Sequence, residues 1–262
     1  DQLQTQALLA FITRDNVTAR SLNEELLTTL QQLSPRLKTV PERYLSSFYN
    51  LLLDQLQLGE YDALEARLEE LKKLPAKTGF KELRGIKARI FEWSYQLELN
   101  SLLQQGKFKK ALVLIPDLNR GLTNYQSSLS GPGFASLHLL GGLAASLNHD
   151  YPLAIDFLLP LHRELHPSTA KDVYRHGHYL YLLCQYSATN YDLVENLLEN
   201  SLRRLKQRAD VPIFEIDFLS RLRKLNLQPE NKKAILKEWL STHDRGGNLE
   251  RYLYLSHWLT SW

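Results

Sequence analysis

Methionine is absent from this 262-residue chain, and cysteine occurs once, as Cys184. A single thiol excludes an internal disulfide framework and fits a reducing, cytoplasmic setting. With no methionine even at position 1, the natural N-terminus is expected to lie upstream of Asp1. Glycine and proline are scarce, at 12 and 10 residues. That argues against turn-rich β architecture and leaves the straight-chain helix formers Leu, Glu, Gln, Lys and Arg to dominate. No apolar run approaches the roughly 18 residues of a membrane span. The opening DQLQTQALLAFITR lacks the basic stretch and cleavage site of a secretory signal. Charge of one sign is also lacking. The net charge of +3 neither requires nor excludes an anionic partner.

What is present is helical periodicity. Leu3, Ala7, Ala10 and Phe11 share a face; Leu22, Leu26, Leu30 and Leu33 form a second stripe; Tyr44, Leu45, Phe48, Leu51, Leu52 and Leu56 form a third. The breaks fall where chemistry predicts them: Asp15-Asn16, Ser34-Pro35, Gly59, Pro75, Gly106 and Gly246-Gly247. Pro41 suits a first helical turn. Pro116 predicts a kink or break within 107–122, Pro160 a shortening of 151–166, and SSLSGPG (127–133) reads as a loop. The chain is expected to be all-α, with about thirteen helices joined by short turns as antiparallel neighbours.

One pattern recurs. Tyr61, Phe108, Tyr151 and Tyr191 follow polar turns at intervals of 47, 43 and 40 residues. Leu64, Ala111, Ala154 and Val194 stand three positions later, and Leu68, Ile115, Leu158 and Leu198 seven later. Each copy is the second helix of a pair, and stacking such pairs buries faces that one pair leaves open. In this the chain resembles a degenerate tetratricopeptide-repeat (TPR-like) array over about residues 44–208. The best match is 134–167, where Gly142, Ala154, Tyr151 and Pro167 occupy the family's small, small, aromatic and closing-proline positions. Leu52, Leu99 and Leu182 replace that glycine in the other copies. The resemblance implies an α-solenoid of antiparallel helix pairs forming a single helical-repeat domain over 1–262, with C-terminal helices at 212–262. It implies a concave face lined by first helices, and a protein or peptide partner held there. Residues 191–225 are also similar to the C-terminal part of uncharacterised bacterial helical-repeat proteins, which carry no assigned activity.

Catalytic chemistry finds little support. His162 and His166 lie four apart in HRELH, but Glu164 is misplaced for the zinc-protease patterns, so they read as ordinary helix residues. His176 and His178 point to different faces. Cys184 sits in apolar YLYLLCQY with no local cation to activate it. No P-loop, dinucleotide fingerprint or nucleophile elbow occurs, and no cofactor or metal is implied.

Two surfaces are candidates for binding. Along 171–189, Tyr174, Arg175, His178 and Tyr181 would face the concave side, and Tyr and Arg dominate binding hot spots. The competing reading is inter-helix packing. Between Arg203 and Lys237, the cations Arg203, Arg204, Lys206, Arg208, Arg221, Arg223, Lys224, Lys232, Lys233 and Lys237 outnumber the acids. They would form a basic patch for an acidic protein or nucleic acid, unless they merely complement helix dipoles. The expected function is a non-enzymatic binding scaffold, with the basic patch as the alternative.

Overall fold

The computed structural model describes residues 2–32, 41–163, 169–206, 213–242 and 248–262. Among these the chain is all-α. Helices α1 (Gln2–Ile12), α2 (Asn16–Gln32), α3 (Pro41–Leu58), α4 (Tyr61–Lys73), α5 (Ile86–Gln104), α6 (Phe108–Val113) and α7 (Ile115–Tyr125) come first. Then follow α8 (Gly131–Ser146), α9 (Tyr151–Arg163), α10 (Lys171–Ser187), α11 (Tyr191–Lys206), α12 (Ile213–Leu227), α13 (Lys232–Thr242), α14 (Asn248–Leu253) and α15 (Leu255–Ser261). Thirteen have seven residues or more, no strand occurs among the described residues, and within each of the two units described below consecutive helices pack on one another, consistent with an all-α helical repeat. The chain divides into two compact units, 1–140 and 141–262.

The repeat is written in the turns. Arg14, Gly59, Gly106, His149 and Thr189 each take positive φ, between 62° and 72°. In each case the next residue's N–H reaches back five positions to a carbonyl: Asp15 to Ala10, Glu60 to Gln55, Lys107 to Leu102, Asp150 to Ala145 and Asn190 to Gln185. This left-handed closure satisfies the carbonyls that a helix end leaves open. The same five residues then accept the first bond of the following helix, from Ala19, Leu64, Ala111, Ala154 and Val194. All five donors are fully buried, at 0% exposure. The turn thus sets a small or branched residue against the preceding helix in every copy. The copy in α1–α2 has no aromatic at the equivalent of Tyr61, so the aromatic spacing missed it.

In the first unit α2 packs against both α1 and α3, α4 against α3 and α5, and α5 against α6 and α7. A continuous core runs from Leu26 through Phe48, Leu64 and Phe80 to Leu97. Pro116, which has no N–H to donate, breaks 107–122 at Leu114. The segment 127–133 is only in part a loop. Ser130 Oγ accepts the Gly133 N–H at 2.9 Å and donates to Glu92, so helix α8 begins already at Gly131.

In the second unit α10 packs on α9 and α11, α12 on α11, and α13 on α12. Helix α9 passes through Pro160 without stopping. The C-terminal segment does not simply extend the series. Tyr254 at φ 53° splits it into α14 and α15, and Trp258 Nε1 donates to the Leu253 carbonyl beside the break. Helix α14 returns to α10, and α15 packs on α13. Trp258 stacks on Tyr151, and Trp262 donates to Ser187 Oγ at 2.9 Å.

Candidate functional site: an aromatic–histidine cluster and a lysine-lined groove

Helix α10 brings Tyr174, His178 and Tyr181 around His162 of α9, with ring centroids 5.4, 5.4 and 5.2 Å from the imidazole. All three are half-buried. The spacing 174, 178, 181 makes one helical stripe, and that stripe meets α9 rather than standing clear of it. His178 Nε2 lies 2.7 Å from Ser201 Oγ of α11. Burial, His162 and Arg204 together push the His178 pKa down to about 3. Burial lowers that of His162 as well, and its Nε2 meets no partner among the described residues. Both imidazoles are therefore neutral at pH 7.

Arg175 faces another way. It pairs with Glu215 of α12 and, at 2.8 Å, with Asp172. Glu215 is 1% exposed and also accepts the Tyr179 hydroxyl at 2.6 Å. Tyr179 was not singled out by sequence, although its place at i+4 from Arg175 puts both on the face toward α12. A buried carboxylate held by a guanidinium and a phenol fixes the docking of α12 on α10.

As for metal or nucleophile chemistry, His166 lies outside the described residues, and no three His, Cys, Asp or Glu side chains gather as ligands among the described ones. Cys184 is fully buried, and burial raises its thiol pKa far above neutrality.

The cations of 203–237 separate into two sets. Arg221 pairs with Asp217 at 2.8 Å, Arg223 binds Glu195 and Glu199, and Lys224 lies 3.7 Å from Glu238. Arg203 is exposed and donates to Asn200; Arg204 is exposed on the same helix. Arg208 and the side chain of Lys206 lie outside what is described. The second set is on α13. Lys232, Lys233 and Lys237 line an open groove of about 840 Å³ with Pro229, Glu230, Leu236, Leu240 and Trp262. Lys232 sits 5.9 Å over the Tyr186 ring, and none of the three lysines has an ion-pair partner among the described residues. Their spacing puts Lys233 and Lys237 one turn apart, beside buried Leu236 and half-buried Leu240. The signal was visible as KKAILKEWL, but only the return of Trp262 makes it a groove.

No family model, curated protein or solved structure matches this chain. No described helix is long and apolar enough to cross a membrane.

Proposed function

We propose that this chain is a non-enzymatic, TPR-like binding scaffold for a protein or peptide whose docking segment carries carboxylates next to apolar side chains. The observation that supports this most directly is the α13 groove: apolar Leu236, Leu240 and Trp262 flanked by Lys232, Lys233 and Lys237, with Glu230 as the one acid in the lining and no ion pair to any of the three lysines among the described residues. Unpaired lysines on a short helix steer an acidic partner, while the apolar floor supplies burial that charge alone does not. The arginines of α12 contribute less, because Asp217, Glu195 and Glu199 already hold them. The Tyr174–Tyr181 stripe would support the scaffold by keeping α9, α10 and α11 in register.

The test is fluorescence anisotropy with a labelled peptide alternating Glu and Leu, a Lys-for-Glu counterpart and a single-stranded oligonucleotide. The reading expects the acidic peptide to bind and to weaken with salt, and Lys233→Glu with Lys237→Glu to weaken it by about tenfold or more. Equal binding of the basic peptide, or an unchanged affinity in the double variant, overturns it. Preference for the oligonucleotide, with a steep salt slope, would favour nucleic acid instead.

A further inference from the structure

Helices α1, α2 and α3 enclose a cleft of about 100 Å³ lined by Leu8, Phe11, Asn23, Asn50, Leu53 and Asp54. Its walls are mainly apolar, with Asn23 and Asn50 as neutral polar groups, and its one charged side chain is acidic. Asp54 is 1% exposed. Asn23 Nδ2 donates to Asp54 Oδ2 at 2.7 Å, whereas Oδ1 has no hydrogen-bond partner among the described residues. No charged residue lies on α1. On α2 the one cation, Arg20, is held by Glu24 and Glu60. A buried carboxylate oxygen without a donor is costly and calls for an explanation, of which a donor supplied by a ligand is one.

We infer that this cleft receives the side chain of a lysine from a partner chain, with Asp54 as the counter-ion of its ammonium and Leu8, Phe11 and Leu53 against its methylenes. Size, valency and surroundings select that group. A cavity of about 150 Å³ admits a benzene-sized molecule, so one of about 100 Å³ takes the four or five heavy atoms of an alkylammonium. Asn23 already donates to one Asp54 oxygen, so the other is the oxygen without a donor among the described residues. A point-like ammonium needs only that oxygen, whereas a two-pronged guanidinium would have to share Oδ2 with Asn23. Phe11 is among the residues that line the cleft, and a cation close to an aromatic ring is favoured. On α1, Leu8 and Phe11, which line the cleft, and Leu9 and Ile12 are 56, 43, 61 and 67% exposed. An apolar rim on that scale is what a protein partner covers, rather than a free amine.

The experiment is an amide-resolved NMR titration of the unaltered protein with Nα-acetyl-lysine methylamide, and with its norleucine and arginine analogues. The lysine compound is expected to move the amides of Leu8, Phe11, Leu53 and Asp54 with a Kd in the millimolar range, about tenfold tighter than either analogue. In Asp54→Asn the preference for lysine over norleucine should vanish. Equal binding of norleucine, tighter binding of arginine, or no movement of these amides at about 50 mM ligand overturns the assignment. The comparison among ligands needs no variant. It is also independent of the α13 groove, which Lys233→Glu and Lys237→Glu test separately.

Discussion

Asn23 Nδ2 donates to Asp54 Oδ2 at 2.7 Å, and this is the one hydrogen bond the buried carboxylate makes among the described residues. One neutral donor does not repay desolvation, so burial lifts the Asp54 pKa from 3.8 to about 6, against a smaller lowering by Asn23. The sign follows from linkage. A folded-state pKa above the unfolded one means that the native state holds the proton more tightly. Stability is then greatest below about pH 4 for this group and falls as pH rises through 6. The cost at pH 7.5 is up to about 3 kcal/mol. Asp54→Asn keeps an acceptor for Asn23 and removes the charge. It is expected to raise the urea midpoint at pH 7.5 and to be nearly neutral at pH 4. A loss of stability at pH 7.5 would contradict this account.

The histidines of α10 run the other way. His176 is pushed down to about 4 and His178 to about 3, in both cases mainly by burial. Their folded pKa values lie below the usual 6.5, so the unfolded chain takes up protons first as pH falls. The stability they contribute is complete above 6.5 and is lost progressively toward pH 4 and 3. Their imidazole C–H resonances should stay fixed between pH 8 and 5. The second unit should lose on the order of 1–2 kcal/mol per histidine by pH 5. Hydrogen exchange can read the two units separately, and resonances of His176 or His178 titrating near 6.5 would refute the prediction.

Thr189 closes the α10–α11 turn at φ 63°, where a β-branched residue is strained and glycine is not. It is exposed, so little packing is lost on replacement. Thr189→Gly is expected to gain about 1 kcal/mol, measured as a rise in Tm, because the relief of left-handed strain exceeds the entropy cost of glycine. Gly59→Ala at φ 72° should do the reverse.

The elements were legible because they are local. Apolar spacing, Gly59, Gly106 and Pro41 carry their own geometry, and the four aligned aromatics marked real helix pairs. The turn rule itself was harder to read, because Arg14, His149 and Thr189 stand where glycine would have announced a left-handed residue. Gly142 was legible as a close helix contact. A β-carbon there would lie 2.8 Å from Leu158, one turn beyond Ala154, the other small position that the resemblance marks. The Asp54 cleft was not legible at all. An aspartate inside LLLDQL hints at burial, but its partner Asn23 lies 31 residues away on another helix. Separations of 40 residues for Arg175 and Glu215, and of 28 and 24 for Arg223 with Glu195 and Glu199, hid those pairings in the same way.

Glu215 provides a sharper test of how α12 is held. At 1% exposure it binds Arg175 and the Tyr179 hydroxyl together. Removing it leaves Arg175, whose side chain is 24% exposed, with only the surface Asp172, and leaves the phenol without that acceptor. Breaking one side of a buried pair costs about 3–5 kcal/mol, whereas replacing both sides by apolar groups is often neutral. Glu215→Ala should therefore lower the urea midpoint strongly. Glu215→Leu combined with Arg175→Leu should recover most of the loss, with Tyr179→Phe added to silence the hydroxyl. If Glu215→Ala alone costs less than about 1 kcal/mol, the contact is no more than a surface ion pair, and α12 is held by Phe218, Leu219 and Leu222.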